Sequence, residues 1–182
     1  MFNNVHIKKP KANRQKPIAI IIFFAIILLF SCKRDDEDVQ MIDQILDLYI
    51  KNSTGQDLLN SKLEGSYSTP VLLDLLGETD LQNISGYVLL KNSDTINYLE
   101  YTAGAIRLLK DSVSPQQKTY YSNFVIRLSK TENEQTIVDD DTIRIEYDWT
   151  PALFQLSKLY YNNQLKFTKI SGKPNIVTIV KD

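Results

Sequence analysis

The chain of 182 residues contains one histidine, His6, and one cysteine, Cys32. Because no histidine follows residue 6, the rest of the chain has no Ser-His-Asp or Cys-His nucleophile system. The usual zinc sites of histidine and cysteine are excluded for the same reason, and a single cysteine cannot form a disulfide within the chain. Only carboxylates, lysines, tyrosines or a metal bound by oxygen remain for catalysis, and we expect no cofactor.

Acidic residues are absent from the first 31 positions, which hold five of the 21 lysines and arginines. An apolar run of 13 residues, Ile18–Phe30, follows these basic residues. This run is short for a membrane-spanning helix, which needs roughly 20 apolar residues. A positive segment followed by a short apolar region is typical of a secretory signal peptide. We therefore predict a signal segment over residues 1–31.

The end of the apolar run, Leu29-Phe30-Ser31-Cys32, resembles the lipobox of bacterial lipoproteins cleaved by signal peptidase II. Phe30 is bulkier than is usual at the second position. The resemblance implies that Cys32 becomes the new N-terminus, that its thiol receives a diacylglycerol and that its amino group is acylated. Several acyl chains exceed the two signals needed for stable anchoring. The alternatives are a signal anchor with an incidental cysteine, and a secreted protein cleaved elsewhere.

The residues after Cys32 bear on location. Lys33 stands where an aspartate would favour the inner membrane in well-studied diderm bacteria, so the resemblance implies the outer membrane. Asp35-Asp36-Glu37-Asp38 resembles the acidic tether that directs some lipoproteins to the cell surface; the alternative is a solvated spacer, because like charges repel. We expect a lipidated cysteine and acidic tether over 32–43, periplasmic or surface-exposed.

Composition after residue 31 limits the partners. These 151 residues contain 16 basic and 22 acidic residues, a formal charge of −6. Nucleic-acid binding needs clustered lysine and arginine, so it is not expected. The length suits one domain with its own core. All ten tyrosines lie in this part of the chain, and tyrosine favours β-strands.

Short apolar runs separated by polar breaks predict eight or nine strands. Thr142–Trp149 alternates apolar and polar residues most regularly, and Tyr120–Leu128 shows the same period of two. Thr131–Gln135 and Asn162-Asn163 predict hairpin turns. We expect an all-β fold, an immunoglobulin-like antiparallel β-sandwich over 44–182, with a small β-barrel as the alternative.

In two segments the sequence pattern does not distinguish a helix from a strand. Met41–Asn52 fits both helical and strand spacing, and the turn at Asn52–Gly55 favours a strand from about Ile45. Thr150-Pro151 either separates two strands or begins a short helix that runs through Leu156.

Three short stretches, residues 52–59, 141–147 and 161–165, resemble a broad group of small β-sandwich lipoproteins of unknown function from diderm bacteria. The resemblance implies an immunoglobulin-like sandwich at the outer membrane. It brings no catalytic residues to this chain.

Asp139, Asp140 and Asp141 form the densest carboxylate group of the predicted domain. Several oxygen ligands are what Ca²⁺ requires, so these residues are a candidate calcium site, although their spacing does not match an EF-hand loop. The alternative is a polar loop that precedes the strand at Thr142.

The tyrosine pairs 120–121 and 160–161 suggest an aromatic surface for a glycan or protein partner. Because adjacent strand residues face opposite ways, one tyrosine of each pair is expected in the core. Tyr121 and Tyr161 are the candidate binding residues, and Trp149 is expected in the core.

The leading functional hypothesis is a non-enzymatic binding or accessory module, anchored to the outer membrane through lipid on Cys32. One alternative is a glycan-active enzyme that uses two carboxylates, such as Glu132 with Glu134 or Asp94 with Glu100. The other is a structural subunit of an envelope complex, with a protein partner.

Overall fold

The structure is a computed structural model and describes residues 39–79 and 81–181. The predicted signal segment, the lipobox and Cys32 lie outside the described residues. Within them the chain forms twelve strands and no helix, hence no helix that could cross a membrane. The strands are β1 Met41–Asp43, β2 Leu46–Asn52, β3 Val71–Asp74, β4 Gln82–Asn83, β5 Tyr87–Lys91, β6 Asn97–Tyr101, β7 Leu108–Ser114, β8 Gln117–Glu132, β9 Gln135–Trp149, β10 Leu153–Tyr161, β11 Gln164–Thr168 and β12 Asn175–Lys181.

The strands form two separate, open sheets, as expected for a β-sandwich. The large sheet has the order β1-β10-β9-β8-β3-β4, with β11 also paired to β10 and β7 also paired to β8. The small sheet has the order β12-β2-β6-β5. The all-β prediction is therefore confirmed.

Two strand pairs depart from the expected antiparallel arrangement. β1 runs parallel to β10, and β12 runs parallel to β2 over seven register pairs from Asn175–Leu46 to Lys181–Asn52. In both pairs the two strands lie far apart in the sequence and are not joined by a hairpin, which would have made them antiparallel. The two sheets are consequently mixed.

The N-terminal segment of the domain confirms the strand interpretation. Leu46, Leu48 and Ile50 are buried while the residues between them are half-buried, which is strand alternation. The sheet begins earlier than the predicted boundary at residue 44, because Met41–Asp43 already pairs with β10. The last three residues of the predicted tether thus belong to the folded domain.

The core lies between the sheets and is built from the inward residues of each strand. Leu99 and Val177 of the small sheet and Ile126 and Ile145 of the large sheet are members of one buried cluster. The rings of Tyr101 and Phe124 contact each other from opposite sheets, with centroids 5.2 Å apart. A buried phenyl-sized side chain stabilises a fold by roughly 1.5–3 kcal/mol.

The predicted turns are confirmed. Asn162 and Asn163 have φ of 47° and 64° in the β10–β11 hairpin, and Asn133 and Glu134 have φ of 49° and 63° in the β8–β9 hairpin. Positive φ at both central residues is what a tight hairpin turn requires. The alternative helix from Thr150 is wrong, because β10 begins at Leu153.

Candidate functional site

A charged cluster joins the two sheets near the β10–β11 turn. It consists of Lys181, Asp139, Asp141, Tyr67, Tyr161 and Asn162, and we call it the Lys181 cluster. Asp139 and Asp141 share the core-facing side of β9, because residues two apart in a strand point the same way. Lys181 ends β12 on the same side as the buried Val177 and Ile179.

The polar groups of the cluster are closely matched. The ammonium Nζ of Lys181 lies 2.6 Å from Asp139 Oδ2 and also pairs with Asp141. The Tyr67 hydroxyl donates to Asp139 Oδ2 at 3.1 Å, and the Tyr161 hydroxyl donates to Asp141. These bonds compensate for the desolvation of a lysine side chain that is only 11% exposed.

Asn162 connects the cluster to the hairpin turn. Its side-chain Nδ2 donates to Asp141 Oδ1 at 2.6 Å, and its Oδ1 accepts a hydrogen bond from the backbone N–H of Thr142 at 2.8 Å. Asparagine tolerates positive φ, so this residue both forms the turn and supports the buried carboxylate.

The environment fixes the protonation states of the cluster. Burial raises the pKa of Asp141, but hydrogen bonds from Lys181, Tyr161 and Asn162 lower it overall. Burial lowers the pKa of Lys181, but its bonds to Asp139 and Asp141 raise it overall. Burial, followed by the bond to Asp141, raises the pKa of Tyr161. All three groups are shifted away from neutrality, so they hold charge and hydrogen bonds rather than exchange protons at neutral pH.

Tyr67 lines a cavity of about 550 Å³ whose wall is part polar and part apolar. The Nζ atoms of Lys130 and Lys181 each lie 5.8 Å from the centroid of the Tyr67 ring, within cation–π range. Lys130 also pairs with Glu132 at 2.6 Å. Hydroxyl side chains line much of the cavity: Ser61, Ser66, Ser68, Ser129, Thr131 and Thr136. Such a lining suits a polar ligand held by hydrogen bonds.

The three aspartates of the candidate calcium site do not converge. Asp140 points to the opposite face of β9 from Asp139 and Asp141, and it forms a two-bond pair with Arg127 at 2.7 and 2.6 Å. Lys181 already neutralises the other two carboxylates. Over residues 39–79 and 81–181, no three acidic, histidine or cysteine side chains are grouped to hold a metal ion.

Adjacent tyrosines point to opposite faces of their strands, as strand alternation requires, but the choice of Tyr161 as a surface binding residue is wrong. Tyr161 is 5% exposed and belongs to the core, so it is not a surface residue. Tyr160 faces outward instead, with the guanidinium of Arg144 4.9 Å from its ring centroid. Tyr121 is half-buried and lines a cavity of about 250 Å³ with Lys110 and Arg144. Trp149 packs against the core, as expected.

The carboxylate pairs proposed for glycoside hydrolysis take separate places in the fold. Glu132 is paired with Lys130 at the β8–β9 hairpin tip, and Glu134 is exposed in the turn itself. Asp94 lies in the β5–β6 turn, whereas Glu100 lies within β6 opposite Asp47.

Lys181 and Tyr67 were missed by sequence reasoning. The sequence did contain a signal for Lys181. This residue stands two residues after Ile179 and four after Val177 in a β-branched run, so strand alternation places it on the core side. Tyr67 had none, because it lies in the loop between β2 and β3 and contacts Asp139 across 72 positions of sequence.

No protein-family model matches the chain, and no curated protein or solved structure shows significant similarity to it.

Proposed function

We propose that this chain is a bacterial lipoprotein whose β-sandwich is a non-enzymatic binding or accessory module at the outer membrane. The observation that carries the proposal is the placement of Cys32. It directly follows the apolar run and Ser31, with five basic residues before it and Asp35–Asp38 after it. The membrane is thus the first partner, through lipid on Cys32.

The start of the fold is consistent with a short tether. Eight residues, 33–40, separate Cys32 from β1 at Met41. At ~3.3–3.6 Å per extended residue, they reach at most about 30 Å. A lipid on Cys32 would therefore keep the sandwich close to the membrane surface.

The chemistry of the Lys181 cluster supports binding over catalysis. The pKa values of Asp141, Lys181 and Tyr161 are all shifted away from neutrality, so these three groups keep one protonation state at neutral pH. The adjacent cavity offers hydroxyl groups for hydrogen bonding. This combination supports recognition of a polar partner.

The test is metabolic labelling of the full chain with an alkyne-tagged palmitate in a diderm host. Wild type should carry the label and shrink on processing, and a signal peptidase II inhibitor should accumulate the precursor. Cys32→Ser should lose the label, while the matched control Ser31→Ala should keep it. An unlabelled wild-type chain, or a Cys32→Ser chain that is processed and retained in the membrane as before, would overturn the proposal.

Location is tested separately. Membrane fractionation should place the processed protein in the outer membrane, and protease added to intact cells distinguishes the two faces. Degradation on intact cells means surface display, while protection until the outer membrane is permeabilised means a periplasmic orientation. Recovery in the inner-membrane fraction would contradict the proposed location.

A further inference from the structure

The outer face of the small sheet carries two cross-strand pairs on its central strands. Asp47 of β2 lies directly opposite Glu100 of β6. One row along, Tyr49 and Tyr98 stack with ring centroids 5.2 Å apart and planes inclined by 25°. All four side chains are half-buried. We call these four residues the acidic–aromatic patch.

The two carboxylates oppose each other across the strands, and no lysine or arginine among residues 39–79 and 81–181 lies within ion-pair distance of either. Like charges directly opposite in a sheet are destabilising, and burial together with Glu100 raises the pKa of Asp47. Neither Asp47 nor Glu100 forms an ion pair with any residue in the described part of the chain. Six other carboxylates there each pair with a lysine or arginine: Asp43, Glu132, Asp139, Asp140, Asp141 and Glu146.

On the large sheet, a carboxylate and a tyrosine of the same kind are paired with cations from the chain itself. On its outer face, Glu146 pairs with Lys110 at 2.7 Å and with Arg144. The guanidinium of Arg144 lies 4.9 Å from the ring centroid of Tyr160. A carboxylate and a tyrosine thus hold one arginine there. The small sheet presents two carboxylates and two tyrosine rings on its outer face. Within the described residues, no arginine lies beside them.

We propose that the acidic–aromatic patch binds an arginine side chain from an extended basic segment of a partner protein. A guanidinium offers a planar fork of donors to two carboxylates and also stacks on aromatic rings, which an ammonium does less well. This proposal rests on the binding role proposed above, and it adds the chemistry of the partner, a basic protein segment.

Apolar side chains flank the patch on both neighbouring strands. Val88 of β5 is 44% exposed, and Ile176 and Val180 of β12 are 48% and 62% exposed. Val88 is registered with Glu100, and Ile176 with Asp47. A rim that excludes water strengthens a charge-assisted contact at its centre, so the apolar residues favour a protein segment over a free cation.

The stacking of the tyrosines argues against a sugar in the same place. At a centroid separation of 5.2 Å, the faces of Tyr49 and Tyr98 partly cover each other. They therefore do not form one flat platform for a sugar ring. Two adjacent carboxylates match a positive partner better than a neutral one.

The experiment measures fluorescence anisotropy of labelled peptides with the full chain in mild detergent. The probe is a short peptide in which arginine alternates with serine, and its matched control replaces each arginine with neutral, nearly isosteric citrulline. The arginine peptide should bind at least about tenfold tighter than the citrulline peptide. Its binding should weaken in about 1 M salt, where the Debye length is ~3 Å. Equal affinity for the two peptides, or no binding of either, would overturn the inference.

Matched variants locate the contact. Asp47→Asn with Glu100→Gln should weaken binding of the arginine peptide by about tenfold or more. Asp148→Asn with Glu134→Gln removes the same charge from exposed positions and should leave it nearly unchanged. Equal losses in both double variants would show non-specific attraction and refute the site. Relief of the Asp47–Glu100 repulsion should preserve the fold, which thermal melting checks.

A neutral oligosaccharide provides the competing arm. If it bound in a way lost on Tyr49→Ala while the arginine peptide did not bind, the patch would be a glycan site and the inference wrong. These readouts are independent of lipid labelling on Cys32. Failure here and failure of the anchor are thereby distinguishable.

Discussion

The ammonium of Lys181 lies 2.6 Å from the carboxylate of Asp139 and so joins β12 of the small sheet to β9 of the large sheet. The same ammonium pairs with Asp141 two residues further along β9. Asp140, between them, faces the other way and pairs with Arg127 at the surface. Consecutive aspartates therefore sit in two different dielectric environments on one strand, and mutations at their partners should have different consequences.

Lys181→Met should lower the free energy of unfolding by about 3–5 kcal/mol, because it leaves Asp139 and Asp141 without their cation in a partly buried site. Arg127→Ala should cost at most about 1 kcal/mol, since that pair is 36% and 39% exposed. Urea unfolding of both variants measures the difference. Similar losses would mean that burial of the Lys181 pair adds nothing.

Acid should destabilise the domain partly through Asp141. Its pKa in the folded state lies below its ordinary value of 3.8. The stability it contributes is therefore fully present above that value and is lost as the pH falls through the folded pKa. The pKa of Glu146, next to Lys110 and Arg144, is likewise below its ordinary 4.5 despite burial.

Urea unfolding from about pH 6 to about pH 2 should show a steep loss of stability for wild type. Asp141→Asn should be less stable at neutral pH but should lose less on acidification, and adding Glu146→Gln should flatten the profile further. A pH profile parallel to that of wild type would contradict the assignment.

Asp47→Asn should stabilise the protein at neutral pH, by a few tenths to about 1 kcal/mol. The folded pKa of Asp47 is raised, by burial first and by Glu100 second, so its ionised form opposes folding above that pKa. The gain should vanish below pH ~3, where the carboxyl group is protonated in both states. Asp148→Asn is the exposed control and should change thermal stability little. Destabilisation by Asp47→Asn at neutral pH would show that the carboxylate has a favourable partner.

Two glycines should differ in their tolerance of alanine. A Cβ on Gly86 would lie 2.0 Å from the backbone oxygen of Ala103, whereas Gly172 has open space but a φ of +72°. Gly86→Ala should cost about 3 kcal/mol or more, because backbone must move. Gly172→Ala should cost about 1 kcal/mol from the left-handed conformation. Thermal melting ranks the two, and a smaller effect at Gly86 would be inconsistent with this packing.

Local patterns predicted the faces of strands well but not their partners. The alternation in Thr142–Trp149 and the Asn162-Asn163 turn depend on neighbouring residues, and both are confirmed. The extent of β7 could not be read from such a pattern, since residues Leu108–Val113 are all exposed and no face of the strand is marked by apolar residues. Its extension to Ser114 comes from pairing with β8.

The Lys181 cluster and the acidic–aromatic patch are products of long-range pairing. Lys181 meets Asp141 because β12 lies beside β2, a parallel pairing that no local turn specifies. Asp47 meets Glu100 only through the register of β2 with β6. Side-chain type was visible in the sequence at all these positions, but which residues face each other was set by sheet topology.

The crossing from β1 to β2 has a mechanical consequence. Two residues, Gln44 and Ile45, carry the chain from the edge of the large sheet to the interior of the small one. A pull on the chain ahead of residue 39 would first load the three register pairs that join β1 to β10. The next element, β2, is held by neighbours on both sides. If the domain is tethered through this segment, a pulling force would thus separate the short edge strand β1 from β10 before it separated β2 from its neighbours. Detachment of β1 would then leave the core of the sandwich intact.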